Sequence, residues 1–288
     1  MKRYLLTLLI CFIILVSFTW LDVPISILLY QEESAFSNFI HQYGHVPSYF
    51  VFFLALLILL KYVILRQREF KRLLLVGLII AIMGAVTLFL YTVWSYFERP
   101  EWTLVSLTIG MLTLSLILTI KFPDRDRRYR EYATVYVVTF FVVFAIVALV
   151  KFFWMRERFM FVEDVSEIPY WFQTLGGIGT DRRYTSMPSG HMKSGAVMLI
   201  FIIAATELKE HLIIRFSITT VLSLWLFLVA LGRIIGGYHY ASDVIISFML
   251  VVLSMGLVRR YLNPIVNFLK RHLRRIIEDV LPELTNDS

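Results

Sequence analysis

Three short groups of polar residues interrupt this otherwise apolar sequence, and each stands at the end of a long apolar segment. The first contains Lys151 and Arg158, the second is Pro188-Ser189-Gly190-His191, and the third contains Arg233, His239 and Asp243. Lysine and arginine gathered with few carboxylates favour an anionic ligand, and the planar guanidinium group matches the oxygen atoms of a phosphate. The three groups therefore predict a phosphate-binding site.

The two histidines and the aspartate in these groups are suited to transferring a phosphoryl group. Asp243 lies four residues after His239, which is about one helical turn. The carboxylate of Asp243 is therefore expected to accept a hydrogen bond from one ring nitrogen of His239 and to leave the other nitrogen free to attack. His191 is the candidate for the acid that protonates the leaving group.

Ser189 and Gly190 begin a predicted helix, and the first backbone N–H groups of a helix attract anions. Glycine also allows a ligand to approach the backbone closely. We therefore add both residues to the candidate phosphate-binding set. The alternative is that Ser189 is an ordinary N-cap residue, whose hydroxyl satisfies one of those N–H groups.

The composition of the chain indicates a membrane environment. Of its 288 residues, 59% are hydrophobic and 17% are charged, and the mean hydropathy is +0.75, whereas soluble domains are roughly 45–50% apolar and about 25% charged. The single cysteine, Cys11, excludes an intramolecular disulfide framework. The net charge of +7 comes from basic residues between apolar segments, which indicates membrane topology rather than nucleic-acid binding.

Eight segments are apolar and long enough to cross a bilayer, whose hydrocarbon core of ~30 Å requires about 20 residues of helix. They lie near 4–20, 49–65, 73–94, 103–120, 132–150, 192–207, 216–234 and 243–258. We therefore predict an all-α, polytopic membrane helical bundle of about eight transmembrane helices. The first segment lacks a small-residue cleavage site near 17–20, so it is expected to remain as an anchor.

Lysine and arginine are concentrated in the connections on one side of this bundle. The opposite connection at 21–48 contains neither residue. Because basic loops stay in the cytoplasm, both termini are predicted to be cytoplasmic. The three polar groups then lie at the extracytoplasmic face of a cell membrane, and the short loops favour a bacterial one.

Two further segments are predicted to form helices at the membrane surface. Apolar residues recur at roughly helical spacing in 25–43, which predicts an outer interfacial helix with His41 and His45 as surface groups. The segment 264–281 follows a helix-start signal at Asn263-Pro264 and predicts a cytoplasmic amphipathic helix, which either lies on the inner leaflet or binds a partner. The predicted units are 1–131, with N-terminal membrane hairpins and the interfacial helix, 132–258, with the polar groups, and 259–288, the tail.

The three polar groups resemble the signature blocks of the type 2 phosphatidic acid phosphatase superfamily, which contains membrane lipid phosphatases and soluble haloperoxidases. The resemblance implies that His239 is the nucleophile that becomes phosphohistidine, that Asp243 orients it and that His191 is the general acid. It implies phosphate binding by Lys151, Arg158, Ser189, Gly190 and Arg233. Two positions depart from the family pattern, since Phe159 replaces the usual proline and Gly232 replaces the usual serine.

The resemblance and the membrane setting together predict metal-independent dephosphorylation of a lipid phosphate or diphosphate. Undecaprenyl diphosphate, phosphatidic acid and phosphatidylglycerol phosphate are the candidate substrates, and recycling of a cell-wall carrier lipid is the first guess. A lipid phosphotransferase that uses the same phosphohistidine is the alternative. A transporter would need polar groups along its spans, and 132–150 and 216–232 contain almost none. The expected partners are the lipid substrate and membrane lipids, with no nucleic acid, no metal and no other cofactor.

Overall fold

The computed structural model describes residues 2–66, 127–173, 181–207 and 211–280. Within these ranges every regular element is a helix, which confirms the all-α prediction. The α-helices are α1 (Lys2–Leu29), α2 (Ala35–Tyr43), α3 (Val46–Arg66), α4 (Arg127–Trp154), α5 (Gly190–Val197), α6 (Ile200–Glu207), α7 (Leu212–Ile235) and α8 (Ala241–Val280). Short 3₁₀ helices cover Phe159–Phe161, Val165–Glu167 and Arg182–Tyr184.

Five helical stretches of the described residues are long and apolar enough to cross a membrane. They are Tyr4–Leu29, Ala35–Leu59, Tyr129–Phe161, Leu212–Ile235 and Ala241–Leu262. The predicted spans at 73–94 and 103–120 lie outside the described residues. The predicted span at 192–207 is divided between α5 and α6, because the chain tightens to i→i−3 hydrogen bonds around Met198 and Leu199. A membrane protein is thus confirmed, but a count of eight spans is not.

Two predicted boundaries differ from the structure. The segment 25–43 is not one helix, since α1 continues to Leu29 and α2 begins at Ala35. The tail does not begin a new helix at Pro264, because α8 continues through this residue to Val280. A proline removes one backbone hydrogen bond, and neighbouring turns of a membrane helix can absorb that loss.

The middle of the bundle is formed by α5 and α8. Helix α8 packs against α1, α4 and α5, and α5 also contacts α3, α4 and α7. Most of α5 is buried, including His191 and the run from Met192 to Val197. Helix α1, by contrast, exposes leucine, isoleucine and phenylalanine along its length, as expected for a lipid-facing helix. The second polar group of the sequence therefore begins a helix at the centre of the molecule.

Candidate active site

Lys151 and Arg158 meet at one residue, Thr185, in the loop that precedes α5. The ammonium group of Lys151 donates a hydrogen bond to the carbonyl oxygen of Thr185 at 2.5 Å, and Arg158 donates to its hydroxyl oxygen at 3.0 Å. A backbone hydrogen bond of 2.8 Å from Arg158 to Arg183 joins the two chain segments. The two cations of the first polar group are thus held next to each other on neutral acceptors.

His239 lies in the short loop between α7 and α8, and the backbone fixes its ring. Its Nδ1 atom is hydrogen bonded to the carbonyl oxygen of Ser186. A carbonyl oxygen can only accept, so Nδ1 carries the proton and Nε2 keeps its lone pair. His239 is therefore held, buried, in the tautomer that a nucleophile requires.

The expected hydrogen bond between Asp243 and His239 is replaced by an indirect connection. The Oδ2 atom of Asp243 lies 3.9 Å from Nδ1 of His239, which is beyond hydrogen-bonding distance. This oxygen instead accepts from the hydroxyl of Ser186 at 2.5 Å and from the backbone N–H of Tyr240 at 2.9 Å. Asp243 thus holds Ser186, and the carbonyl group of Ser186 holds His239. The sequence analysis missed Ser186 because its essential group is a backbone carbonyl.

Burial lowers the pKa of His239 well below its ordinary value of 6.5, because the charged imidazolium loses solvation. The positive charges of Arg233, Lys151 and Arg158 lower this pKa further. All three predicted phosphate-binding cations therefore lie near the predicted nucleophile. At neutral pH the imidazole of His239 is uncharged.

Arg156 is buried and is paired with two carboxylates. It donates to Asp243 at 2.8 Å and to Asp22 of α1 at 2.9 Å, and its guanidinium group lies 3.9 Å from the ring centroid of Tyr240. The backbone N–H of Ser242 also donates to Asp22, at 2.8 Å. Both carboxylates therefore sit at the N-terminus of α8, where the helix dipole favours negative charge. The sequence analysis missed this group, although Asp22 is the only acidic residue of α1.

Arg233 lies in the last turn of α7 and is in contact with α2. Its guanidinium group donates to Nδ1 of His41 at 2.5 Å and lies 4.1 Å from the ring centroid of Tyr238. The rings of His41 and Tyr238 are stacked, with centroids 4.4 Å apart. Arg233, the third predicted phosphate-binding cation, is therefore covered by α2. None of the three polar groups of the sequence lies in this helix.

His191 also contacts α2 and the residues that follow it. Its Nε2 atom lies 3.0 Å from the carbonyl oxygen of His41 and 3.1 Å from Nδ1 of His45. The prediction that His45 is a surface group is wrong, since this residue is only 5% exposed. Although three histidines meet here, no group of His, Cys, Asp or Glu in the described part of the chain is arranged to hold a metal ion.

Ser189 and Gly190 form the start of α5. Ser189 is buried and acts as the N-cap, accepting from the backbone N–H of Met192 at 3.5 Å. Its own N–H donates to the carbonyl oxygen of Asp243 at 3.2 Å. A Cβ atom built on Gly190 would meet nothing within 4 Å, so open space lies beside the first turn of this helix.

Gly232, one of the two positions that depart from the family pattern, is in direct contact with α2. A Cβ atom at this position would lie 2.7 Å from Cβ of Ile40, closer than real carbon atoms approach. The hydroxyl of Ser37 donates to the carbonyl oxygen of Gly232 at 2.7 Å. The missing side chain therefore makes room for α2 beside Arg233.

Comparison with protein families identifies the region that holds this site. A family model described as the PAP2 superfamily matches residues 132–266, a little under half of the chain. Residues 132–266, the PAP2 region, are therefore similar to the PAP2 superfamily. The resemblance of the three polar groups to the type 2 phosphatidic acid phosphatases is thereby confirmed. No curated protein and no solved structure matches the chain significantly.

Similarity to the PAP2 superfamily indicates phosphatase or phosphotransferase chemistry on phosphate esters. Every site residue predicted from the sequence lies inside the PAP2 region. Asp22, His41 and His45 lie outside it, although each of them contacts a site residue or the arginine that pairs with Asp243. The site is therefore completed by helices that the family match does not include.

Proposed function

We propose that the protein is a membrane lipid phosphate phosphatase that works through a phosphohistidine intermediate on His239 and requires no metal. The main support is the surroundings of this residue. Its Nδ1 proton is directed to the carbonyl of Ser186, and its pKa is lowered by burial and by three cations. An uncharged imidazole with a free Nε2 lone pair, beside groups that bind phosphate, is suited to nucleophilic attack on phosphorus.

In this proposal Lys151, Arg158 and Arg233 bind the equatorial oxygens of the phosphoryl group. Their positive charges stabilise the transition state, the role that metal ions have in many other phosphoryl transfers. The backbone N–H of Gly190 adds the positive end of the α5 dipole, whereas the N–H of Ser189 already donates to the carbonyl oxygen of Asp243. The hydroxyl of Ser189 remains the N-cap.

The reaction has two steps. In the first, Nε2 of His239 attacks phosphorus, the bond from phosphorus to the leaving oxygen breaks, and His191 gives that oxygen a proton. In the second, a water molecule gives a proton to His191 and attacks the phosphohistidine. The phosphorus–nitrogen bond then breaks, releasing inorganic phosphate and restoring both histidines.

The proposed substrate is a lipid whose phosphate group enters the site while its chains stay among the apolar helices. Undecaprenyl diphosphate, phosphatidic acid and phosphatidylglycerol phosphate all have this form. The distribution of lysine and arginine supports a site on the extracytoplasmic face, with both termini in the cytoplasm. We also propose that residues 1–131, 132–258 and 259–288 are the three functional units, with the reactive groups in the second.

The experiment is phosphate release by the detergent-solubilised protein from each of the three lipids. His239→Ala is expected to lose activity by roughly 10⁴-fold or more, whereas His211→Ala, at the start of α7, serves as the control. An acid-labile, alkali-stable phosphoryl label on the wild-type protein would identify phosphohistidine. Full turnover by His239→Ala would refute the proposal, and label transfer to an added lipid acceptor with little phosphate release would favour the phosphotransferase.

A further inference from the structure

The contacts of His191 show which of its two ring nitrogens donates a hydrogen bond and therefore carries a proton. Nε2 lies 3.0 Å from the carbonyl oxygen of His41, and a carbonyl oxygen can only accept. Nε2 is therefore the protonated nitrogen. The second neighbour of Nε2, the Nδ1 atom of His45 at 3.1 Å, must then be an acceptor, so it carries no proton.

This assignment places the proton of the His45 ring on Nε2. That atom is buried and has no hydrogen-bond partner among the described residues, so the tautomer is unfavourable for His45 itself. The ring of His45 is nevertheless held against His191, with centroids 4.9 Å apart and the planes nearly perpendicular. The arrangement thus benefits His191 and leaves a donor of His45 unsatisfied.

The backbone between α2 and α3 also follows the shape of the His191 ring. A Cβ atom on Gly44 would lie 3.2 Å from Cδ2 of His191, a closer contact than most side chains tolerate. Gly44 is buried, and in the sequence it lies between His41 and His45. Three groups of this segment therefore lie next to the imidazole of His191: the carbonyl group of His41, the backbone of Gly44 and the Nδ1 atom of His45.

We infer that His45 is a positioning residue for the general acid His191, acting together with the carbonyl group of His41. In the imidazolium form, which carries a proton on each nitrogen, the two acceptors hold the Nε2 proton of His191, and Nδ1 gives its own proton to the leaving oxygen and becomes uncharged. The inference rests on the proposed function, in which His191 is the acid. It assigns part of the catalytic machinery to a segment outside the PAP2 region.

The test uses two substrates that differ in their need for an acid. Dodecyl phosphate has a poor leaving group that must be protonated, whereas 4-nitrophenyl phosphate has a good one. General-acid catalysis contributes roughly 10²–10⁴-fold, so His191→Ala should lose far more activity on dodecyl phosphate. His45→Ala is expected to reproduce this selective loss, with kcat on dodecyl phosphate falling about tenfold or more and KM little changed.

Two matched variants separate hydrogen bonding from packing. His45→Asn places an amide oxygen near the position of Nδ1 and should recover most of the activity on dodecyl phosphate. Tyr49→Leu removes the ring that packs edge-on against His45 but keeps Nδ1 of His45, and should leave the ratio between the two substrates unchanged. His45→Leu, which is closer to histidine in volume, replaces His45→Ala if the latter does not fold.

Each result decides the inference. Equal losses on both substrates, no loss on either, or failure of both apolar variants to fold would show that His45 has a structural role, and the inference would be overturned. These outcomes differ from failure of the proposed function, in which His239→Ala itself would retain activity. A selective loss that His45→Asn does not repair would also overturn the assigned hydrogen bond.

Discussion

The two histidines that we propose to be catalytic are anchored in the same way but by different parts of the chain. Each has one ring nitrogen on a backbone carbonyl: Nδ1 of His239 on Ser186, and Nε2 of His191 on His41. Ser186 lies inside the PAP2 region, whereas His41 lies outside it. Both rings therefore lie within the region that matches the family, but the anchor of only one of them does.

The cations of the site divide in a similar manner. Arg156 is paired with Asp243 and Asp22, so it serves the architecture behind His239. Lys151 and Arg158 instead donate to the neutral oxygens of Thr185, which a phosphate can replace. Charge type alone did not distinguish these roles in the sequence.

The largest expected effect comes from breaking the support that α1 gives to the His239 half. Asp22→Ala leaves the buried Arg156 with one carboxylate instead of two, and removing one partner of a buried ion pair costs roughly 3–5 kcal/mol. We expect a clear fall in thermal stability in detergent. The exposed Glu32→Ala, just after α1, is the control, and an equal melting temperature for Asp22→Ala would contradict this account of Arg156.

A smaller effect is expected where α2 meets α7. Gly232→Ser restores the usual family residue but forces its Cβ against Ile40, and overpacking of this kind costs about 1–3 kcal/mol. The stability of the protein should fall. Because α2 then shifts away from His191, kcat on dodecyl phosphate should fall more than kcat on 4-nitrophenyl phosphate. Ile40→Gly in the same chain removes that Cβ and should relieve the clash, so a double variant with the same selective loss on dodecyl phosphate as Gly232→Ser would be evidence against it.

The pH dependence of kcat/KM tests whether the positive charges near His239 lower its pKa. Lys151 lowers the pKa of His239 by disfavouring the imidazolium form, so Lys151→Met should raise that pKa. The acid-side limb of the kcat/KM profile should then move to higher pH, by about one unit or less. Arg215→Gln, at the other end of α7, should leave the limb in place. A shift to lower pH for Lys151→Met would show that the sign of this interaction is wrong.

The smallest effect separates the two contributions of His41. His41→Ala removes the ring that accepts from Arg233 but keeps the carbonyl that holds His191. We expect a change of a few-fold in KM for both substrates, with their kcat ratio unchanged. A selective loss of kcat on dodecyl phosphate would instead assign the ring of His41 to the acid half.

The sequence predicted the helices because they depend on side-chain type. The apolar segments in the described part of the chain are helical, and the residues of the three polar groups are connected through Thr185, Ser186 and α2, whereas their catalytic roles stay a prediction. The anchors were not predicted, because every residue has a carbonyl group and no side chain marks the carbonyls of Ser186 and His41. His45 was misjudged because its segment was read as a free surface helix, whereas Ser37 and Ile40 bury that helix against α7.

The length of α8 has a consequence for the whole molecule. A helix of 40 residues extends ~60 Å along its axis, about twice the thickness of a bilayer's hydrocarbon core. With Asp243 in its first turn, this helix continues from the candidate site well beyond Ala241–Leu262, the part of it that is apolar enough to cross a membrane. A fluorophore or antibody epitope placed near Val280 would therefore report the sidedness of the protein in intact vesicles without approaching the catalytic groups.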